Sequence, residues 1–169
     1  MPIGVYPGTF DPLTIAHLAV ADAAVDQLGL SRLDLVISRR ALGKEHLDEA
    51  TIERRVHAVS EVIADRPELA IVVVDTQLLV DIARGYDAVV MGADKWAQVI
   101  DPAWYGDDPD ARDAAVAALP RVAVAPRLGW SAPDAFRLEV PEHVAEVSAS
   151  AVRDGRHEWA VRPPGDASA

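Results

Sequence analysis

"IGVYPGTFDPLTIAHLAVADAAVDQL", residues 3–28, runs from an apolar stretch through a turn rich in Gly, Thr, Asp and Pro into a helical pattern. That order is strand, turn, helix, the opening unit of an α/β domain. The unit recurs along the chain. "LDLVIS" (33–38) precedes a helical segment over 51–64, "LAIVVVD" (69–75) precedes "TQLLVDIAR" (76–84), and "DAVVMG" (87–92) precedes a further helical region. Within 51–64, Ile52, Val56, Val59, Val62 and Ile63 fall near one helical face. Gly85 sits where a helix C-cap belongs. The strands are apolar on both parities, as a parallel sheet covered on both faces requires. The expected fold class is α/β, a doubly wound parallel sheet of Rossmann-like type.

Beyond Gly92 the pattern loosens. "DPAWYGDDPDARD" (101–113) reads as a surface loop entering a short helix, "RVAVA" (121–125) as a fifth strand, "PRLGWSAPD" (126–134) as a loop and "FRLEV" (136–140) as a short sixth strand. Asp107, Asp108 and Asp110 sit beside a helix start, where carboxylates serve more simply as caps and dipole partners than as a metal cluster. One domain is expected over residues 1–158, with a flexible tail over 159–169 and no second domain.

The chain has 169 residues, 50% of them hydrophobic and 25% charged, an ordinary globular composition able to bury a substantial core. No cysteine is present, which excludes disulfides and thiolate metal sites and agrees with a reducing compartment. A net charge of −11 argues against a nucleic-acid partner, because phosphate-backbone binding needs clustered Lys and Arg. A small phosphorylated ligand remains compatible, since a few cations focused in a cleft suffice to hold it. The start lacks a basic, apolar leader pattern, and no uncharged apolar run approaches membrane-spanning length. The expectation is a cytoplasmic protein without a membrane partner, with homo-oligomerisation left open.

In a doubly wound sheet, ligands bind at the carboxyl ends of the strands near the switch in strand order. The opening turn lies at that end of the first strand. Gly8 is expected to let the backbone turn tightly, and the helix starting near Thr14 offers unpaired N–H groups to an anion. Neither G-x-x-x-x-G-K-[ST] nor G-x-G-x-x-G is present here, so two common nucleotide-binding patterns are not the explanation. Thr14 and His17, three apart, face the same way on a first helical turn and could both reach a phosphate. The plainer alternative is an N-cap and a half-buried helix residue.

"GTFDPLTIAHL" (8–18) resembles the signature of the nucleotidylyltransferase superfamily, G-x-F-D-P-x-[HT]-x-G-H. "VSASAVRDG" (147–155) is similar to its second signature, I-S-S-T-x-[IV]-R. The resemblance covers most of residues 3–156 and implies the nucleotidylyltransferase version of the Rossmann-like fold. It departs at Ala16, where Gly is usual, and at Ala149, where Ser is usual; an added methyl at 16 is expected to lie where the backbone approaches nucleotide.

The resemblance implies ATP as co-substrate, with Mg²⁺ held mainly by substrate phosphates and no dedicated protein metal site. It also implies roles. Thr14, His17 and Lys44 would be catalytic; Gly8, Thr9, Phe10, Gly92, Asp94, Ser148, Ser150 and Arg153 would bind the nucleotide; and Arg55 and Trp104 would bind the acceptor. Ser148 and Ser150 are expected to cap a helix whose amino end faces phosphate, with Arg153 supplying a charged fork. "MGADKWAQVIDPAWY" (91–105) and "VAVAPRLG" (122–129) are similar to segments of the nicotinate or nicotinamide mononucleotide adenylyltransferases. An indole such as Trp104 suits a flat pyridine ring, while Trp96 is expected to pack. The alternatives are a pantetheine-phosphate adenylyltransferase, to which "YPGTFDPLT" and the overall size are very close but whose arginine-bearing segment is replaced here by "VMGADKW" (90–96), and a nucleotide-binding homologue without catalysis.

Overall fold

A computed structural model describes residues 1–40 and 46–165. Strands β1 (Ile3–Pro7), β2 (Arg32–Ser38), β3 (Leu69–Val74), β4 (Ala88–Gly92) and β5 (Arg121–Ala125) form one parallel sheet in the order β3-β2-β1-β4-β5. The chain moves outward through β2 and β3, then crosses back to place β4 on the other side of β1. That reversal between β1 and β4 opens the crevice where a doubly wound sheet takes its ligand.

The strands alternate their side chains between two buried layers. Leu33, Leu35 and Ile37 of β2, with Tyr6 and Val90, pack beneath α1 (Ile15–Leu28) and α2 (Glu49–Val62). Val5, Val36, Val89, Met91 and Val124 face the opposite layer, against Leu79 of α3 (Leu79–Ile82) and Trp96 and Val99 of α4 (Ala93–Val99). Coverage on both faces is why the strands read as continuous apolar runs. The expected face of the second helix is the buried one, with Ile52 and Val59 almost fully covered.

Local signals set the helix ends. Thr14 caps α1, which stops at Gly29 with φ 63°. Asp48 caps α2 by accepting from Thr51 N–H at 2.7 Å. Asp108 caps α5 (Pro109–Ala117), with Pro109 at the first helical position. The preceding 101–113 stretch also contains a 3₁₀ turn over Pro102–Tyr105.

Two elements are shorter than the sequence suggests. The 76–84 pattern yields only the single turn of α3, because Leu78 offers no side-chain cap and Ser38 Oγ takes the Thr76 carbonyl at 2.6 Å. The "FRLEV" stretch is no sixth strand among the described residues. Phe136 belongs to a 3₁₀ turn, Arg137 makes a single parallel bridge to Val124, and Glu139 N–H donates to the Gln27 side chain rather than to a ladder.

Asp34 is a charged residue inside β2, only 2% exposed. Arg32 grips it with two bonds, at 2.7 and 3.0 Å, and Tyr86 Oη donates at 2.9 Å. Within the stretch expected to be a tail, Ala160 bridges Thr14 and Val161 N–H donates to the Leu13 carbonyl at 3.0 Å. No helix among the described residues is long and apolar enough to cross a membrane.

Candidate functional site

At the carboxyl ends of β1 and β4 lies a cleft of about 420 Å³. Gly8 and Thr9 form its β1 side, Gly92 and Asp94 its β4 side, and His17, Arg55 and Trp104 also line it. Seven residues singled out in the sequence therefore meet at the switch point. Lys44 lies outside the described residues.

His17 is held by a reciprocal cap. Its Nδ1 accepts the Thr14 backbone N–H at 2.9 Å, while Thr14 Oγ1 accepts the His17 N–H at 3.3 Å. A histidine here takes the part usually played by Glu or Gln in a capping box. Because Nδ1 is an acceptor, the neutral ring carries its proton on Nε2. Burial among Tyr6 and Phe10, reinforced by the Arg127 cation, pushes the pKa of His17 down to about 4. The imidazole is thus a neutral donor near pH 7, suited to bond a phosphate oxygen without taking part in proton transfer.

Thr14 itself is buried and does not line the cleft. Its hydroxyl is committed to His17, so Thr14 meets the cleft only through the imidazole it holds.

Gly8 is needed for a different reason from the expected tight turn. Its φ lies outside the left-handed region; instead a Cβ there would sit 2.8 Å from Phe10 Cζ. The left-handed residue is Phe10, with φ 45°, an uncommon conformation for a bulky side chain. That twist folds the Phe10 ring back under Gly8 and against His17, with ring centroids 5.0 Å apart in an edge-on contact. Phe10 is 2% exposed and forms the floor of the turn rather than the cleft wall.

Asp11 ties the turn to two other elements. Arg55 Nη2 donates to its carboxylate at 2.9 Å, and Arg153 Nη1 donates to its carbonyl. Arg153 also donates to Ser150 Oγ at 3.1 Å, so Ser150 braces the arginine instead of capping a helix. Ser148 is the cap of α6 (Ala149–Arg153), accepting from Ala151 N–H. The second motif thus docks on the first through Arg153, while Ser148, Ser150 and Arg153 stand beside the main cleft and do not line it.

Several lining residues went unassigned in the sequence: Tyr6, Lys95, Gln98 and Arg127. Burial raises the Tyr6 phenol well above its ordinary range, against an opposing pull from Arg127. Lys95 Nζ donates to Gln98 Oε1 at 2.7 Å, one turn along α4. Among the described lining residues, three cations (Arg55, Lys95 and Arg127) face one carboxylate, Asp94. On a chain of net charge −11 this is a local positive focus, the arrangement a polyanionic ligand needs. Trp96 is buried against Phe136, with ring centroids 5.4 Å apart, leaving Trp104 as the indole of the cleft.

The sequence profile described as cytidylyltransferase-like matches residues 5–154. The chain belongs to the cytidylyltransferase-like family. Among curated relatives of this family member, a phosphopantetheine adenylyltransferase of Rhizorhabdus wittichii is 31% identical over 91 residues, covering 54% of this chain and 52% of that protein. A probable nicotinate-nucleotide adenylyltransferase of Bordetella pertussis is 36% identical over 69 residues, 41% of this chain and 34% of that protein. A phosphopantetheine adenylyltransferase of Coxiella burnetii is 33% identical over 87 residues, 52% and 50% of the two chains. The matches span about half the length of these relatives or less.

One departure from the family signature has a structural resolution in this member. The Ala16 side chain is 1% exposed and belongs to the layer beneath α1, so its methyl fills core space and does not project into the cleft.

Proposed function

We propose that this protein is an adenylyltransferase that moves AMP from ATP to the phosphate of nicotinate mononucleotide, or its nicotinamide counterpart, in NAD biosynthesis. An acceptor phosphate oxygen attacks the α-phosphorus, the bond to the bridging oxygen breaks, and pyrophosphate leaves. No protein nucleophile is required, so catalysis is positioning and charge stabilisation. The observation that carries the reading is the neutral His17 imidazole, fixed by Thr14 at the switch point beside a cluster of cations. Its Nε2–H would donate to the α- or β-phosphate as charge moves onto the leaving group.

The acceptor assignment rests on Trp104 and Asp94 lining that same cleft, an indole face for a flat ring and a carboxylate for ribose or base donors. Lys44 and Arg55 would balance the acceptor phosphate, Gly8, Thr9, Phe10 and Gly92 would shape the nucleotide site, and Ser148, Ser150 and Arg153 would hold the outer phosphates of ATP. Mg²⁺ would arrive on the triphosphate oxygens; among the described residues there is no group of three or more His, Cys, Asp or Glu that could hold an ion. A second reading, 4′-phosphopantetheine as acceptor, is favoured by two of the relatives named above.

The test is pyrophosphate release from ATP and Mg²⁺ with nicotinate mononucleotide, nicotinamide mononucleotide or 4′-phosphopantetheine, with His17→Ala as control. Release with a mononucleotide alone, lost in the variant, is the expected result. Release only with 4′-phosphopantetheine moves the enzyme to coenzyme A synthesis, and ATP binding without release under any acceptor makes it a non-catalytic homologue.

A further inference from the structure

Arg127 follows β5, and several observations converge on its side chain. It lines the cleft. Its Nη1 donates to the Val147 carbonyl at 2.7 Å, one residue before the α6 cap Ser148. Its stem crosses over Gly92, where a Cβ would meet Arg127 Cγ at 3.2 Å. Its Nε stands 3.8 Å from Asp94 Oδ1, too far for a hydrogen bond, and the Asp94 side chain is 53% exposed.

The guanidinium is therefore anchored on one side and only loosely neutralised on the other. The anchoring carbonyl carries no charge, and the distant carboxylate makes no direct bond. A phosphate group can offer closer and better directed oxygens to the same fork. Removing water from the cleft as a ligand enters strengthens that preference.

We propose that Arg127 is an anion-binding residue of this cleft, which keeps its bond to Val147 while exchanging Asp94 for phosphate oxygens. The exchange frees Asp94 to accept from neutral donors of the ligand. It also joins ligand binding to the start of the second motif, because the residue that meets the phosphate holds the carbonyl preceding Ser148. The adenylyltransferase reading supplies the ligand's identity; the anion chemistry stands apart from it.

The experiment is calorimetric titration of inorganic pyrophosphate, which has no ribose or base, into the wild-type protein and three variants. Arg127→Met should weaken binding at least about tenfold, and Arg127→Lys, which keeps a charge without the planar fork, should weaken it less. Asp94→Asn should tighten binding by about two- to fivefold, by removing the competing carboxylate. Pyrophosphate bound equally by wild type and a folded Arg127→Met overturns the proposal, as does unchanged or weakened binding in Asp94→Asn. If Arg127→Met fails to fold, Arg127→Gln, which can still donate to the Val147 carbonyl, is titrated in its place and read the same way. Parallel titrations with ATP and with nicotinate mononucleotide assign the phosphate, since the one that contacts Arg127 loses affinity alongside pyrophosphate. Variants that show these shifts, together with a wild-type protein that releases no pyrophosphate with any acceptor, defeat the functional reading and leave Arg127 assigned.

Discussion

His17 Nδ1 accepts the backbone N–H of Thr14 at 2.9 Å, so the first helix of the protein is capped by the same ring that faces the cleft. The helix cap and the cleft wall share one imidazole. With its pKa pushed down to about 4, mainly by burial, the ring is neutral in the fold and protonates near pH 6.5 in the unfolded chain. Its contribution is complete above pH 6.5 and is lost as pH falls to about 4, because the unfolded state then binds a proton that the folded state refuses. The loss amounts to roughly 3 kcal/mol at most. Urea unfolding of wild type and His17→Gln, at pH 7, 5.5 and 4.5, should show the wild type losing the larger share of its stability. Gln can still complete the capping box, so the variant should fold at pH 7 while losing pyrophosphate release.

The fit of Phe10 beneath Gly8 makes a second prediction. Gly8→Ala places a methyl 2.8 Å from Phe10 Cζ and 3.0 Å from Cε1, and the ring is held in place by a left-handed backbone and a full core. The substitution should cost roughly 1–3 kcal/mol. Chemical denaturation of Gly8→Ala, Phe10→Leu and the double variant checks the assignment: the double variant should lose less than the two single losses added together.

Trp104 is predicted to act on the acceptor alone. Trp104→Ala should raise KM for the mononucleotide roughly tenfold, or about 1.4 kcal/mol, with the ATP KM nearly unchanged. Trp104→Phe should recover most of the loss. Steady-state kinetics with each substrate varied in turn separates this outcome from a general weakening of the cleft.

Asp34 supplies the opposite expectation, a large structural effect with little effect on ligand binding. It is not among the residues lining the cleft, and its removal strips the partner from Arg32 and from Tyr86, whose phenol is pushed up to about 12, chiefly by burial. Asp34→Ala should destabilise by roughly 1–3 kcal/mol, since Arg32 can return to water while the strand interior loses its bonds. Folded Asp34→Ala should bind ATP as the wild type does, measured by calorimetry.

The α/β order was legible because each strand and helix announces itself over a few neighbouring residues. Apolar runs of five to seven residues and the Thr14 and Asp108 caps are local features, and they reappear where the pattern puts them. Local reading failed where a distant group competes for the backbone. Ser38 claims the Thr76 carbonyl and shortens α3, and Gln27 claims the Glu139 amide and interrupts the would-be sixth strand.

The candidate site divides in the same way. The resemblance of short motifs already pointed to Gly8, Thr9, His17, Arg55, Gly92, Asp94 and Trp104, which the fold brings to one cleft. The sequence alone thus determined the strand-turn-helix repeat, its parallel sheet and which segments converge on the switch point. Only the tertiary structure decided that Thr14 is buried behind His17 and holds it, that Gly8 makes room for Phe10, that Ala16 fills the core, that Ser150 braces Arg153, and that Arg127 reaches across to Asp94 and Val147. The physical reason is separation along the chain: strand and cap signals act within a few residues, whereas Arg127 meets Val147 20 positions away and Arg153 meets Asp11 142 positions away, contacts that exist only once the sheet has brought the loops together.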